Sequence, residues 1–133
     1  MAVQLTPEQR KLLDDKNFAF VATLGPDGAP QVTPVWVEYD GKYVVFNTEQ
    51  KRAKVRNLKR DPRVAISVAA HDNPYSYIEI RGRVVEITPQ GGAEGIDRLA
   101  KKYIGQDKYP WNKPDDVRVL VKVEPEKVSG MGR

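Results

Sequence analysis

The chain has 133 residues, with 22 lysines and arginines against 18 acids and a formal net charge of +4. This length predicts a single domain, residues 1–133, with room for a substantial core. The absence of cysteine excludes disulfides, thiolate metal sites and cysteine nucleophiles, and one histidine is too few for a metal site built from histidines.

The first predicted element is a helix. Thr6 is a suitable N-cap, Pro7 suits the first helical position, and Gln9 stands where a capping box has its second polar residue. A strand is predicted next, over residues 18–24. The sequence GPDG predicts a turn at the end of that strand, because proline favours the second position of such turns.

Two further strands are predicted at residues 30–40 and 42–48. The dipeptide Asp40-Gly41 between them is a strong signal for a hairpin turn. Pro34 predicts that the first of these strands is an edge strand or contains a bulge, since proline has no backbone N–H to donate within a sheet.

The second half of the chain adds more strands. Residues 63–70 and 76–88 are predicted as strands, the second with a bend at Gly82. Residues 91–105 have apolar side chains at helical spacing, and residues 117–125 form the final predicted strand. About six short strands without helical crossovers favour a mainly β fold with short helices, built as an antiparallel barrel.

The start of the chain, MAVQLTPEQRKLLDDK, lacks the apolar segment of a signal peptide. No stretch approaches the roughly 18 apolar residues of a membrane span. We therefore expect a soluble cytoplasmic protein with no membrane association.

A basic run occupies residues 51–64, KRAKVRNLKRDPRV, with seven basic side chains and one acid. It predicts a short helix that ends before the proline, with Val55 and Leu58 facing inward. Lys54 then lies in the first turn on a different, exposed side, with Arg52 next to it. Free backbone N–H groups and the positive end of the helix dipole make such a helix start a candidate anion site.

The residues of this run leave three uses open. A solvated helix face is the first, although the run lacks the glutamates that usually pair with lysines along exposed helices. Nucleic-acid binding is the second, with Tyr75 and Tyr77 as candidate stacking platforms, but glutamates on the strands weaken such a surface. The third is a clamp for a phosphorylated cofactor.

Residues 33–68, TPVWVEYDGKYVVFNTEQKRAKVRNLKRDPRVAISV, resemble a known superfamily. They are similar to the flavin and deazaflavin oxidoreductases of the pyridoxamine 5'-phosphate oxidase-like split β-barrel superfamily, and most similar to its small members that use coenzyme F420. The likeness continues through YSYIEIRGRVVEI and KYIGQDKYPW. It implies a six-stranded antiparallel split β-barrel with Greek-key connections, of the FMN-binding type, and a homodimer with cofactor sites at the subunit interface.

The resemblance also implies roles for individual residues. Val35, Trp36 and Val37 are expected along the flavin-like ring of the cofactor. Asn47 and Thr48 are expected near its ribityl chain and phosphate.

The same resemblance implies that the basic run binds the cofactor. Arg52 and Lys54 match a phosphate-binding basic pair, and Ala53 between them favours the deazaflavin branch, because the pair is adjacent in the flavin-using oxidases. Arg56, with its basic neighbours, is expected to attract the acidic oligoglutamate tail of F420. Lys54→Ala is expected to weaken cofactor binding about tenfold to a hundredfold and to leave the fold intact, as for an exposed lysine.

Tyr75 and Tyr77 match positions that line the pocket in family members, where the second subunit can supply them. His71 is expected to be a surface or turn residue. The implied activity is hydride transfer between F420 and a small unsaturated or conjugated organic substrate, for which the protein needs no nucleophile of its own. FMN is the alternative cofactor, and a non-catalytic flavin-binding protein is the alternative function. No metal and no nucleic-acid partner is expected.

Overall fold

The computed structural model describes residues 2–131. Its helices are α1 (Pro7–Asp14), α2 (Ala53–Arg60) and α3 (Gly92–Ile104). Its strands are β1 (Ala19–Leu24), β2 (Pro30–Val35), β3 (Val37–Tyr39), β4 (Val44–Glu49), β5 (Arg63–Ala70), β6 (Asn73–Thr88) and β7 (Arg118–Met131). Within residues 2–131, no helix has the length and hydropathy needed to cross a lipid bilayer.

The seven strands form one antiparallel sheet in the order β2-β1-β5-β6-β7-β4-β3. The predicted mainly β fold with short helices is confirmed, but the expected number of six strands is wrong. Residues 30–40 were expected as one strand and form two, because the ladder stops at Val35 and restarts at Val37. Trp36, between them, belongs to neither strand.

The break at Trp36 also closes the sheet. β2 and β3 are the two edge strands, at opposite ends of the strand order. Because consecutive Cα atoms are about 3.8 Å apart, Val35 and Val37 lie within about 7.6 Å of each other. The sheet therefore curls until its two edges meet at Trp36, and we call this meeting point the seam.

Local sequence signals account for several element ends. The Thr6 hydroxyl accepts a hydrogen bond from the Gln9 backbone N–H over 3.2 Å, and the Gln9 side chain accepts one from the Thr6 N–H over 2.9 Å, which completes the predicted capping box. The register of β6 against β7 shifts at Gly82, where the bend was predicted. A Cβ atom there would lie 2.3 Å from the Glu124 carbonyl oxygen, so this close approach requires glycine.

The core lies within the curled sheet and beneath the helices. α1 packs against β3, β5 and β6, α2 against β1, and α3 against β4 and β7. The largest fully buried side chains are Leu13, Val21, Val37, Val44, Phe46, Val55, Ile66, Val68, Ile78, Ile80, Leu99 and Val121.

Candidate functional site

A cavity of ≈ 210 Å³ opens beside the seam. Its walls come from the ends of β2 and β4, the start of α2, one turn of α3 and the start of β7. Its lining residues are Phe18, Pro34, Val35, Trp36, Asn47, Thr48, Arg52, Lys54, Ile96, Tyr109 and Arg118. Six of the ten site residues predicted from the sequence are therefore brought together here.

The other four predicted residues do not line this cavity within one chain. Val37 is fully buried in the core. Arg56 lies on the exposed side of α2 and donates from Nη1 to the Lys51 carbonyl oxygen over 2.5 Å. Tyr75 and Tyr77 lie on β6, and Tyr75 is 74% exposed. A contact between these two tyrosines and a cofactor in a second subunit stays a prediction.

Lys54 is the buried cation of the cavity. Its residue is only 6% exposed, so the expectation of an exposed lysine is wrong. The physical reason is helical spacing: Lys54 precedes Asn57 by three positions and Leu58 by four, and all three lie on the buried face of α2. Burial lowers the pKa of Lys54 to about 8, and the nearby charges of Arg52 and Arg118 act in the same direction.

Arg118 is a cavity residue that sequence reasoning missed. Its Nε donates to the Asn47 Oδ1 atom over 2.9 Å, and its guanidinium carbon lies 5.0 Å from the centre of the Tyr109 ring. The amide nitrogen of Asn47 donates in turn to the Gly92 carbonyl oxygen over 2.8 Å. No local pattern marks Arg118, because only the register of β4 against β7 brings it to the cavity.

The acid closest to Arg118 in the sheet register is engaged elsewhere. Glu49 lies opposite Arg118, and its carboxylate accepts hydrogen bonds from the Lys51 N–H over 2.9 Å and the Val117 N–H over 3.1 Å. No aspartate or glutamate is among the residues that line the cavity. Its cationic end is therefore formed by Arg52, Lys54 and Arg118 without an acid among its walls.

The start of α2 adds to this positive charge. Arg52 is the N-cap residue, no side chain caps the helix, and its first turn contains no acid. The helix dipole places partial positive charge at the same end, and backbone N–H groups there lack intrahelical partners. Because Lys54 also has no ion-pair partner among residues 2–131, this end of the cavity fits an anion such as a phosphate group.

The wall next to this cationic end is aromatic. Trp36 stacks on Tyr103 with ring centres 5.2 Å apart and planes at 9°. Tyr109 meets Trp36 edge to face, with centres 5.8 Å apart and planes at 88°, and Phe18 stacks on Tyr103 at 6.1 Å. A flat apolar wall beside a cationic end fits a ligand that combines a planar ring with an anionic group.

α3 holds the seam in place from outside the sheet. The Tyr103 hydroxyl accepts a hydrogen bond from the Val37 N–H over 3.1 Å and donates to the Asn17 carbonyl oxygen over 2.6 Å. Lys102 donates from Nζ to the carbonyl oxygens of Val37 over 2.7 Å and Leu13 over 2.5 Å. Burial raises the pKa of Tyr103 to about 12 and lowers that of Lys102. The residue after Trp36 is thus fixed through both of its backbone polar groups.

His71 lies outside the cavity, at the turn between β5 and β6. Its backbone N–H donates to the Asn17 Oδ1 atom over 2.9 Å, and its ring Nδ1 lies 3.2 Å from the same oxygen. Among the described residues, no three or more His, Cys, Asp or Glu side chains are grouped as metal ligands.

Nearly the whole chain matches a known family. Residues 5–132 match the family described as Pyridoxamine 5'-phosphate oxidase. The chain belongs to the pyridoxamine 5'-phosphate oxidase family. The superfamily resemblance drawn from residues 33–68 is thereby confirmed.

Three relatives of this family member illustrate its range. A solved structure described as an F420 reductase is 37% identical, with a TM-score of 0.82, and the match covers 94% of this chain and 98% of that one. A conserved hypothetical protein from Mycobacterium tuberculosis is 26% identical, with a TM-score of 0.71 and coverage of 96% and 84%. A pyridoxine/pyridoxamine 5'-phosphate oxidase from Kineococcus radiotolerans is 33% identical over 73 residues, which are 55% of this chain. The match spans only 32% of that oxidase.

Proposed function

We propose that this protein is an oxidoreductase that uses the deazaflavin coenzyme F420 to transfer hydride to a small unsaturated or conjugated organic substrate. The observation that carries the proposal is Lys54, a buried cation without an acidic partner among the described residues, in a cavity with an aromatic wall. The similarity to a structure described as an F420 reductase supports the choice of deazaflavin.

In this proposal the cationic end of the cavity holds the cofactor phosphate. Arg52 and Lys54 supply charge-assisted hydrogen bonds, and the buried Thr48 hydroxyl is available beside them. A phosphate there offsets the repulsion among the cavity cations, which burial makes stronger than in water.

In the same proposal, the part of the cavity beside the seam binds the ring of the cofactor. Val35 and Trp36 line this part of the cavity, and the buried Val37 follows them in the chain. Phe18 and Tyr109 contribute apolar surface that keeps water away. The ring supplies the hydride chemistry when it is bound, and the chain binds and orients it. A homodimer that completes the site with Tyr75 and Tyr77 of a second subunit belongs to the proposal.

The exposed face of α2 is proposed to attract the acidic tail of F420. Arg56 and Lys59 are exposed on that face. Arg60 is less available, because its Nη2 donates to the Asn57 Oδ1 atom over 2.7 Å and the Leu24 carbonyl oxygen over 3.1 Å.

The alternative is an FMN-binding oxidoreductase, or a flavin-binding protein without catalysis, in the same cavity. Membership of the family described as Pyridoxamine 5'-phosphate oxidase supports this alternative. FMN has a planar ring and a phosphate as well, so the same donor set would suit either cofactor.

Parallel titrations of the cofactor-free protein with F420 and FMN test the proposal. The chain has two tryptophans, Trp36 and Trp111, whose rings lie 6.4 Å apart at the aromatic wall, so intrinsic fluorescence reports on this region. We expect saturable quenching by both cofactors and tighter binding of F420. Reduced F420 should then be oxidised by conjugated carbonyl compounds in an enzyme-dependent manner. Tighter binding of FMN would favour the alternative cofactor, tight F420 binding without turnover would favour the non-catalytic alternative, and absence of binding by both would refute the proposal.

A further inference from the structure

Arg118 has free hydrogen-bonding capacity that the proposed phosphate clamp of Arg52 and Lys54 does not use. Its Nε is occupied by Asn47, while its two terminal nitrogens have no hydrogen-bond or ion-pair partner among residues 2–131. A guanidinium offers its donors in a planar fork that matches two oxygens of one anion. Arg118 therefore presents an unused fork to a cavity that also contains the buried Lys54 nitrogen.

The orientation of this fork is fixed by two contacts. Asn47 accepts from Nε over 2.9 Å, and the Tyr109 ring lies beneath the guanidinium at 5.0 Å. Asn47 is itself only 5% exposed and is held by its hydrogen bond to the Gly92 carbonyl oxygen. Both ends of the Asn47 amide are thus engaged within the chain.

The start of α3 packs closely against this arrangement. A Cβ atom at Gly92 would lie 2.0 Å from the Arg118 carbonyl oxygen, and one at Gly95 would lie 3.1 Å from the Asn47 Nδ2 atom. Only glycine permits the first approach. The start of α3 therefore lies directly against both the asparagine and the backbone of the arginine.

We propose that Arg118 is a third anion-binding residue of the cavity and that Asn47 is its positioning residue. The ligand group is one with two negative charges close together, either a phosphate monoester or a phosphodiester with a neighbouring carboxylate. The inference rests on the proposed function in one respect, that the cavity takes a phosphorylated ligand. It does not depend on which cofactor that ligand is.

The charge of the cavity supports this ligand class. Arg52, Lys54 and Arg118 line one space that has no acid among its walls. Burial lowers the pKa of Lys54, and repulsion from the charges of Arg52 and Arg118 lowers it further. Burial is the main cause that lowers the pKa of Arg118. A single negative charge would leave most of this repulsion in place, whereas two adjacent charges offset it more fully.

Binding of inorganic phosphate, measured by calorimetry at fixed ionic strength, tests the role of Arg118. We expect Arg118→Met to weaken phosphate binding by about tenfold or more. Arg83→Met is the matched control, because it removes the same charge from an exposed position on β6 that pairs with Glu126 at 3.9 Å. We expect that control to change the affinity by less than about twofold, since salt screens distant charges. Equal losses in the two variants would show a general charge effect and overturn the inference.

A conservative variant guards against a folding defect. Arg118→Lys keeps the positive charge and loses the planar fork. We expect phosphate affinity between those of the wild type and Arg118→Met, with an unchanged thermal midpoint. Wild-type affinity in a folded Arg118→Lys protein would contradict recognition by the fork.

A double-mutant comparison tests Asn47 as a positioning residue. Asn47→Leu should weaken phosphate binding in the wild-type background and cause no further loss in the Arg118→Met background. A purely structural asparagine would lower stability in both backgrounds without this non-additivity in affinity. The same loss of affinity in both backgrounds would mean that Asn47 does not act through Arg118.

The cofactors themselves identify the source of the anion. A larger loss of affinity for FMN than for F420 in Arg118→Met indicates a phosphate monoester, and the reverse indicates the phosphodiester with its carboxylate. Arg118-dependent phosphate binding without binding of either cofactor would refute the proposed function and keep this inference. Identical cofactor binding by the wild type and Arg118→Met would refute this inference and leave the proposed function standing.

Discussion

Tyr103 stacks on Trp36 with their ring planes only 9° apart, and the hydroxyl of the same tyrosine lies between the Val37 N–H and the Asn17 carbonyl oxygen. One side chain of α3 thus supports the aromatic wall of the cavity and also fixes the backbone next to that wall. The shape of the cavity therefore depends on this helix as well as on the strands.

Removal of the Tyr103 hydroxyl should therefore weaken the fold and the site together. Tyr103→Phe keeps the ring stack and leaves the Val37 N–H and the Asn17 carbonyl without this partner, so we expect a loss of about 1–3 kcal/mol in the free energy of unfolding. Urea denaturation measures it. Tyr75→Phe, at a 74% exposed position, is the control and should change stability by less than about 0.5 kcal/mol. Equal stabilities of Tyr103→Phe and the wild type would show that the hydroxyl bridge contributes nothing to the fold.

Lys54 should destabilise the cofactor-free fold at neutral pH. Its pKa is about 8 in the folded chain against 10.5 for an ordinary lysine, so below pH 8 it is charged in both states and its burial cost is fully present. Between pH 8 and 10.5 the unfolded chain binds more protons at this position, and stability rises with pH. Above pH 10.5 Lys54 is neutral in both the folded and the unfolded chain, so its burial no longer carries the cost of a buried charge.

Lys54→Met should consequently be more stable than the wild type below pH 8, by on the order of 1–3 kcal/mol. This advantage should shrink as the pH rises towards 10.5. Unfolding curves at several pH values measure it, with the exposed Lys59→Met as the control whose difference from the wild type stays flat. A pH-independent advantage of Lys54→Met would point to packing and not to charge.

Cofactor binding should respond to Lys54 in the opposite sense. Lys54→Ala deletes a charge-assisted hydrogen bond and should weaken FMN and F420 binding by about tenfold to a hundredfold. Lys59→Ala should matter little for FMN and more for F420, whose tail carries the extra negative charge. Wild-type affinity of Lys54→Ala for both cofactors would refute the phosphate clamp.

The affinity of the wild type for phosphate should also fall as the pH rises through 8, because free Lys54 loses its proton there. Lys54→Met should lack this fall. Titrations of phosphate at constant ionic strength, on either side of that pKa, provide the measurement. A parallel fall in both proteins would assign the pH dependence to another group.

The protein is expected to be a homodimer through an apolar face of β1 and β2. Phe20 is 49% exposed and Val32 is 59% exposed, and the strand register places Phe20 opposite Pro34 and Val32 opposite Ala22 on the same face. Such a face favours coverage by a partner. Sedimentation at micromolar concentration should show a dimer for the wild type and a monomer for Phe20→Glu. Val85→Glu, at a 45% exposed position on β6, should remain dimeric.

Nucleic-acid binding by the basic helix should be weak. Several phosphate contacts make such binding strongly dependent on salt, so we expect no submicromolar affinity for DNA or RNA in about 150 mM salt. A filter-binding assay with single- and double-stranded probes checks this. Submicromolar binding under those conditions would reopen the nucleic-acid interpretation of residues 51–64.

Most of the fold was readable from the sequence because its signals are local. The capping box at Thr6, the hairpin at Asp40-Gly41 and the bend at Gly82 each arise from the chemistry of a few neighbouring residues. The division at Trp36 was not readable, since a continuous alternation of apolar residues runs across it. The strand pairing is interrupted at Trp36 because the two edges of the sheet meet at that residue. This meeting depends on contacts between distant parts of the chain.

The candidate site also combines features that the sequence predicts with features that depend on long-range contacts. The family resemblance of residues 33–68 predicts that Trp36, Asn47 and Lys54 bind one cofactor. All three line the cavity, and their contact with a cofactor stays a prediction. Arg118 was missed because its place depends on strand register, which has no mark in the local sequence. The burial of Lys54 was not predicted, because a lysine within a basic run was expected to be exposed. Its helical spacing from the buried Asn57 and Leu58 places it on the buried face of α2.

The capped edge of β3 has a consequence for solubility. An exposed edge strand offers free backbone groups to strands of other molecules, which promotes aggregation. Here Tyr103 and Lys102 occupy the N–H and carbonyl of Val37, while Pro30 and Pro34 remove two donors from the opposite edge strand, β2. The cavity beside the seam can therefore stay open to a small ligand, while the two edges offer little for a foreign β-strand to pair with.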